Sequence, residues 1–373
     1  MGKVEVREVK NKRDLKRFFD LPKKLYKNDP CYVEPLRSEL KKMFNEKKNP
    51  FFKHARIQSY LAYKNGEVAG RITTTHNWLY NEYHNDKTGF FGWFETENDL
   101  DVVKALFNSA ESWLRARGLN SSLGPMSFST NDISPGILIK GFEYPPYVDM
   151  AHALPYYKEL VEKAGYEKAM DLLAFRMPIH QKIDERVEKL AKRVKEEKNI
   201  SIRFFDPKHY DRDVNILRDI YNSAWKDNWG FVPMTDEEFA EAAKNFNKIK
   251  IIELAQIAEI DGNPIGFSLT IPNINEALIH MNGRLFPFGV FKFLYWMKKV
   301  KGLRLLLLGI KPEYRKRGAD VMLFYYNMVE GQKLGYTEGE LSWILEINKP
   351  IIKATQYVQG EEYKRYRIYH KKI

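Results

Sequence analysis

Apolar and polar residues recur in the same order in the two halves of the chain. In each half, a stretch with helical spacing precedes two alternating stretches that are joined by a short polar turn containing glycine. The helices are predicted at residues 14–27 and 213–226, and the turns at Asn65-Gly66 and Asp261-Gly262. The offset between Gly66 and Gly262 also relates Gly70 to Gly266 and Asn77 to Asn273. This agreement predicts that the chain contains two copies of one fold.

Each half then continues as strand, helix, strand, helix, strand. The predicted elements of the first half are 90–95, 101–117, 122–128, 156–164 and 172–177, and those of the second half are 303–310, 319–334, 340–345, 350–358 and 364–369. This order predicts an α+β (mixed α/β) fold with two tandem domains, each a mixed twisted sheet flanked by helices.

A charged segment at residues 181–198 separates the two copies. Ile183, Val187, Leu190 and Val194 recur every three or four positions, which places them on one face of a helix. We therefore predict an N-terminal domain at 1–180, a linker helix at 181–198 and a C-terminal domain at 199–373.

The composition is that of a globular protein, with 44% hydrophobic and 29% charged residues. No apolar run approaches the roughly 20 residues that span a bilayer, and no targeting segment is evident, so we expect a cytoplasmic protein without a transmembrane segment. Cys31 is the single cysteine, and the histidines show no metal-binding spacing, so no metal is expected. The net charge of +12 favours anionic partners in general. Acidic residues are interspersed among the basic ones, and we do not expect a nucleic-acid partner.

Residues 308–320 combine features that suit a phosphate. An apolar strand ends, a short loop carries Arg315, Lys316 and Arg317, and a helix is predicted to begin directly after Gly318. The first N–H groups of a helix attract anions, and glycine lets the backbone approach them closely. A solvated basic turn that only ends the strand has the same pattern.

This segment resembles the acyl-CoA pyrophosphate motif of the GCN5-related N-acetyltransferases, Arg/Gln-x-x-Gly-x-Gly/Ala. Arg315, Gly318 and Ala319 match it, whereas Asp320 departs from it at the last position. The whole chain resembles the bacterial tandem-domain members of this superfamily. The resemblance implies that acetyl-CoA or another acyl-CoA is the cosubstrate. It also implies contacts from the residues of this loop, of the strand before it and of the last predicted helix: Leu308, Gly309, Ile310, Arg315, Lys316, Arg317, Gly318, Ala319, Asp320 and Asn348.

The first copy has a different turn at the equivalent place. Glu95, Glu97, Asp99 and Asp101 bring four carboxylates where the second copy has cations, and these would repel a pyrophosphate. We therefore expect no CoA site in the N-terminal domain.

Candidates for proton transfer are less clearly marked. The superfamily commonly uses a glutamate on the first of two splayed strands, but residues 303–310 contain no carboxylate. Glu346 and Ser342, on the next strand, and Tyr357, on the last helix, are the substitutes that the sequence offers. Each of them could equally have a structural role, and for Tyr357 that role would be packing as an aromatic side chain.

These features predict an acyltransferase that moves an acetyl or other acyl group from acyl-CoA to an amine acceptor, either a small molecule or a peptide. Two alternatives stay open. A long-chain acyl or aminoacyl transferase is favoured by the apolar segment 285–297. This segment could line a long acyl chain or an apolar acceptor, or it could simply pack in a core or at a domain interface. A catalytically degenerate CoA-binding or regulatory module is favoured by the missing strand carboxylate and by Asp320. The sequence does not indicate an oligomeric state.

Overall fold

A computed structural model of the chain describes residues 3–128, 135–179, 182–248, 254–285 and 289–373, with the backbone alone at 246–248. The chain divides into two compact units, and neither is continuous in sequence. The first unit contains Met1–Leu172, Ala277–Trp296 and Lys364–Ile373, and the second contains Leu173–Glu276 and Met297–Tyr363.

The predicted division at 181–198 separates the two sequence copies and stays a prediction. The compact units part at other positions, because two pieces of the C-terminal half, Ala277–Trp296 and Lys364–Ile373, belong to the first unit.

The sequence up to the second copy forms five helices and seven strands within its described part. In chain order these are β1 (Val4–Glu8), α1 (Lys12–Leu25), α2 (Arg37–Met43), β2 (Ala55–Lys64), β3 (Glu67–Asn77), α3 (Trp78–His84), β4 (Thr88–Thr96), α4 (Leu100–Arg115), β5 (Ser121–Gly124), β6 (Ile137–Lys140), α5 (Tyr157–Lys163) and β7 (Glu167–Pro178).

The remainder of the chain begins with the predicted linker helix. Its elements are α6 (Glu185–Lys198), β8 (Ile200–Phe204), α7 (Tyr210–Trp225), α8 (Asp236–Lys248), β9 (Ala255–Ile260), β10 (Asn263–Pro272), α9 (Asn275–Leu278), α10 (Gly289–Met297), β11 (Gly302–Ile310), α11 (Ala319–Lys333), β12 (Glu338–Leu345), α12 (Lys349–Tyr357) and β13 (Glu361–Lys372).

The strand order in each unit supports the predicted duplication. In the first unit β1, β2, β3 and β4 pair antiparallel in that order, and β4 then pairs parallel with β5. In the second unit β8, β9, β10 and β11 pair antiparallel, and β11 then pairs parallel with β12. Each unit therefore contains a mixed sheet in which the pairing changes from antiparallel to parallel after the fourth strand of the series, as the fold class predicted.

The two glycine turns form the predicted hairpins. Asn65 and Gly66 have φ values of 53° and 83°, and Asp261 and Gly262 have φ values of 50° and 75°. Two consecutive left-handed residues are the geometry of a type I′ turn, which suits the twist of the strands that it joins. The repeated hairpin is confirmed.

The predicted linker helix is present as α6, and it packs within the second unit. Val187, Ala191 and Val194 are buried. Ala191 and Val194 belong to one hydrophobic cluster, and Leu190 packs against it. The cluster also includes Ala319 and other residues of α11, so α6 lies beside the start of α11.

Other predictions were less accurate. The strand expected at 122–128 ends at Gly124, and the helix expected from residue 181 begins at Glu185. The helix α8 and the edge strands β1 and β8 were not predicted. Among the described residues, no helix is long and apolar enough to cross a membrane, and no group of three or more potential ligands could hold a metal ion.

A buried carboxylate holds α7 against β8. Asp213 accepts hydrogen bonds from Arg203 at 2.7 and 3.0 Å, from Nε of Arg212 at 2.8 Å and from the N–H of Asp206 at 2.8 Å. Burial alone would raise the pKa of Asp213, but these donors lower it to about 2.

Replacing Asp213 by asparagine should therefore destabilise the protein near neutral pH. Because the pKa of the folded carboxylate lies below that of an unfolded aspartate, near 3.8, its stabilisation is present above pH 4 and is lost as the pH falls towards 2. We expect a loss of about 2 kcal/mol at pH 7 that shrinks below pH 4, measured by urea unfolding of the full chain. Asp211→Asn, at an exposed position of the same helix, is the control. An equal loss from both variants, or a loss independent of pH, would contradict this account.

Candidate functional site

The parallel strands of the second unit part from each other before they end. β11 and β12 pair from Gly302 and Glu338 as far as Leu305 and Leu341, although β11 continues to Ile310. Leu308, Gly309 and Ile310 follow the last paired residue of β11. The family resemblance implied that these three residues contact the acyl-CoA, and the structure places them at the opening between the strands.

The helix α7 covers β11 at this opening. A Cβ atom added to Gly309 would lie 2.3 Å from the ring of Trp225 and 3.1 Å from the Cβ of Ala224. Glycine at position 309 therefore lets α7 approach the strand, which is a structural reason for a residue that the sequence had assigned to the cofactor.

The predicted phosphate loop joins β11 to α11. Gly318 stands directly before the helix with φ of 91°, and within the described part of the chain no side chain caps the first N–H groups of α11. Ala319 is buried in the core, so only its backbone can face a ligand. A helix N-terminus of this kind binds anions through its unpaired N–H groups.

Gly318 also has a second role. A Cβ atom at this position would lie 2.6 Å from a methyl group of Val194 on α6. Because the positive φ and this close approach both require glycine, a larger residue would disturb the loop itself, whether or not it blocks a cofactor.

The cations of the loop differ in their surroundings. Arg315 donates to the backbone carbonyl of Ala224 at 2.7 Å, so it fastens the loop to the end of α7. The guanidinium of Arg317 lies 5.3 Å from the ring centre of Tyr314. Lys316 is exposed and takes a left-handed conformation with φ of 63°. The role of these three residues at a pyrophosphate stays a prediction, and Arg315 has a structural role in addition.

Ser342 is part of a buried polar cluster that the sequence did not reveal. Arg304 donates to the Ser342 hydroxyl at 2.9 Å, and the hydroxyl donates to Glu340 at 2.5 Å. Tyr363 donates to the second carboxylate oxygen of Glu340, and Arg304 lies 3.9 Å from the first. Arg304 and Glu340 are also direct partners across the two strands.

A signal for this cluster was present in the sequence. Arg304 interrupts the apolar run of β11, and a charged residue inside a buried strand requires a partner of opposite charge. The sequence does not say which carboxylate pairs with Arg304.

The remaining predicted site residues are in different surroundings from Ser342. Tyr357 is 40% exposed at the end of α12, whereas Ser342 is buried. Asn348 caps α12 by accepting the N–H of Ile351 at 3.4 Å, and Glu346 is half-buried just beyond β12. The catalytic roles of Ser342, Glu346 and Tyr357 stay predictions.

The first unit has the same strand opening, but the protein's own chain occupies it. β4 and β5 pair only as far as Phe90 and Leu123, while β4 continues to Thr96. The N–H of Met126 then bonds to the carbonyl of Phe91 at 2.8 Å. A Cβ atom at Gly92 would lie 1.6 Å from the Met126 carbonyl oxygen, so this segment fits tightly against β4.

Glu95 completes the filling of the first opening. It accepts hydrogen bonds from Tyr157 at 2.7 Å and from Tyr26 at 2.9 Å, and Arg71 lies 3.6 Å away. Burial raises the pKa of Glu95, while Arg71 and the two hydroxyl groups oppose that rise. Tyr157 also accepts the N–H of Thr96 at 3.1 Å, which occupies a backbone donor of the opening.

The acidic turn of the first copy is therefore not a free cluster of like charges. Glu97 pairs with Lys24 at 2.9 Å, and Asp99 pairs with Lys64 and caps α4. That the first copy lacks a CoA site stays a prediction, and its physical support is now the filled opening more than charge repulsion.

Comparison with known proteins adds to this geometry. No family model matches the chain. Over 99% of its length the chain is 37% identical to Protein YghO of Escherichia coli, and the match covers 95% of that protein. It is also 37% identical, over 99% of its length, to the bacterial ceramide synthase of Caulobacter vibrioides, and this match covers 98% of that protein. Among solved structures it is similar to a tandem GNAT protein from the clavulanic acid biosynthesis pathway, with a TM-score of 0.56, 12% identity and coverage of 99% of this chain and 98% of that one.

The structural likeness confirms the fold that the loop motif and the repeated elements predicted, and the sequence likeness extends over nearly the whole length of both relatives. The chain has the tandem GCN5-related N-acetyltransferase fold, and it belongs to the protein family that contains YghO and the Caulobacter ceramide synthase.

Proposed function

We propose that the protein is an acyl-CoA-dependent N-acyltransferase that joins a long fatty acyl group to a long-chain amine. The observation that carries this proposal is the 37% identity, over 99% of the chain, to a protein named bacterial ceramide synthase. A ceramide is the amide of a fatty acid and a long-chain amino alcohol. Of the acceptors that the sequence left open, this relative favours an apolar amine.

The second unit is the proposed site of the acyl-CoA. Beyond Leu305, β11 no longer pairs with β12. The backbone groups of β11 on this side could therefore pair with the amides of the pantetheine arm of acyl-CoA. The loop from Arg315 to Asp320 would hold the pyrophosphate on the first N–H groups of α11. The filled opening of the first unit supports a single cofactor site.

The reaction needs one proton acceptor and one proton donor. The amine nitrogen attacks the thioester carbonyl carbon, the C–N bond forms, the C–S bond breaks, and the CoA thiolate takes up a proton while the nitrogen loses one. Glu340 is closed off from solvent and already bound by Ser342 and Tyr363, so it is poorly placed to accept that proton. Glu346, at the open end of β12, is the proposed base.

Purified protein should release CoA thiol only when an acyl-CoA and a long-chain amine are both present. We would supply sphinganine or a short amine as acceptor, palmitoyl-CoA or acetyl-CoA as donor, and identify the N-acyl product by mass spectrometry. We expect N-palmitoyl sphinganine as the main product. Acetylation of the short amine instead would exclude the long-chain assignment, and CoA binding without any product would favour the degenerate module.

Glu346→Gln should reduce kcat by about 10²–10⁴-fold and leave acyl-CoA binding unchanged, because a positioned general base typically contributes that much. Steady-state kinetics with calorimetry of acyl-CoA binding would measure both. Glu338→Gln, at the paired end of the same strand, is the matched control. If both variants keep full activity, another group accepts the proton.

Asp320→Asn should tighten CoA binding by about fivefold at low salt, because a carboxylate near a pyrophosphate costs about 1 kcal/mol at 4 Å in water. The gain should shrink as salt is added. Asp101→Asn is the matched control, because Asp101 is the second residue of α4 and Asp320 is the second residue of α11. Unchanged or weaker binding by Asp320→Asn would place the pyrophosphate elsewhere.

A further inference from the structure

The helix α10 exposes large apolar side chains. Phe291 is 74% exposed, and Leu294 and Tyr295 are each 55% exposed, while no residue of α10 is buried. From the sequence, segment 285–297 could pack in a core or line an acyl chain. For these three residues the core interpretation is wrong; Phe286, Pro287 and Phe288 lie outside the described residues.

The exposed residues share one side of the helix. Positions 291, 294 and 295 follow the spacing of adjacent residues on a helix surface. On another side, the ring of Trp296 stacks on His280 with centres 3.7 Å apart, and Phe293 is half-buried. The helix is therefore attached to its unit along one side and turns Phe291, Leu294 and Tyr295 outwards. We call these three residues the apolar face.

Lysines lie close to the apolar face in the sequence. Lys292 is exposed within α10, and Lys298 and Lys299 are exposed directly after it. The sequence contains no aspartate or glutamate from Ala277 to Pro312, although acidic residues are frequent elsewhere. An amphipathic helix with aromatic and leucine residues beside lysines is the pattern that lies in the headgroup region of anionic membranes.

This charge distinguishes between the possible occupants of the face. A second copy of the chain would bring the same lysines together around the contact, and like charges oppose that association. An anionic bilayer satisfies both features, because its headgroups attract the lysines and its acyl chains accept the apolar side chains.

We propose that α10 docks the protein on the surface of anionic membranes, with Phe291, Leu294 and Tyr295 inserted at the boundary between headgroups and acyl chains and with Lys292, Lys298 and Lys299 near lipid phosphates. This inference goes beyond the proposed reaction and does not depend on it. A single short helix supports reversible binding to the bilayer surface.

Cosedimentation of the full chain with vesicles tests the proposal without acyl-CoA. We expect binding to phosphatidylcholine vesicles that contain 30% phosphatidylglycerol, little binding to phosphatidylcholine alone, and weaker binding as salt is added. Replacing Phe291, Leu294 and Tyr295 together by serine should weaken binding at least tenfold. Replacing Lys292, Lys298 and Lys299 together by glutamate should abolish the preference for anionic lipid.

Matched variants control for surface changes in general. Serine at Tyr83, Phe204 and Leu334 removes three other exposed apolar side chains, and glutamate at Lys16, Lys104 and Lys353 makes the same change in net charge. Both control variants should bind anionic vesicles within about twofold of the wild type, and circular dichroism would confirm that all variants fold. Absence of vesicle binding by the wild type, or equal losses in the control variants, would overturn the proposal. If the α10 serine variant instead converts a dimer into a monomer in sedimentation velocity while vesicle binding is unchanged, the face joins two copies.

Discussion

The ion pair of Arg304 with Glu340 is the interaction on which the candidate site depends. Both side chains are shut off from solvent, and they face each other across β11 and β12 one residue before the pairing ends. Removing either partner would leave the other charge buried without compensation, at a cost of about 3–5 kcal/mol. Arg304 on β11 also donates to the hydroxyl and to the backbone carbonyl of Ser342 on β12, at 2.9 and 3.3 Å, which ties the two strands together at this point. The opening between the strands begins one residue beyond this ion pair.

The two copies of the fold use their openings differently. In the first unit, the segment around Met126 and the hydroxyl of Tyr157 occupy the backbone groups that the parting strands would leave free. In the second unit, Arg315 fastens the loop to α7, and Val194 fixes the path of the chain at Gly318. The opening of the first copy is therefore filled by its own chain, while in the second copy the edge of β11 beside the N-terminus of α11 is not paired with β12 beyond Leu305. Under the proposed function, the first copy would support the fold and the second would bind the cofactor.

Local sequence patterns were sufficient to predict the two hairpins and the loop before α11. They could not predict contacts between residues that lie far apart in the sequence. Asn65-Gly66 and Asp261-Gly262 predict their turns because the required left-handed backbone is a property of those residues alone. The partner of Arg304 lies on another strand, and nothing in the spacing of the sequence identifies Glu340. For α10, apolar residues occur on every side of the helix, so periodicity could not show which of them face outwards. The strand predicted after Ser122 was cut short because residues beyond Gly124 fill the opening instead of continuing the sheet.

The first unit combines residues 1–172 with residues 364–373, and this affects how the protein folds during synthesis. Tyr369 to Lys372 of β13 pair with β5, so residues that are synthesised late complete a sheet whose strands β1 to β5 were synthesised much earlier. During translation the edge of β5 stays uncovered, and an uncovered edge invites pairing with other chains. Loss of residues 369–372 would therefore damage the half of the fold that is encoded first, and the newly made N-terminal half carries an uncovered sheet edge until these residues are added.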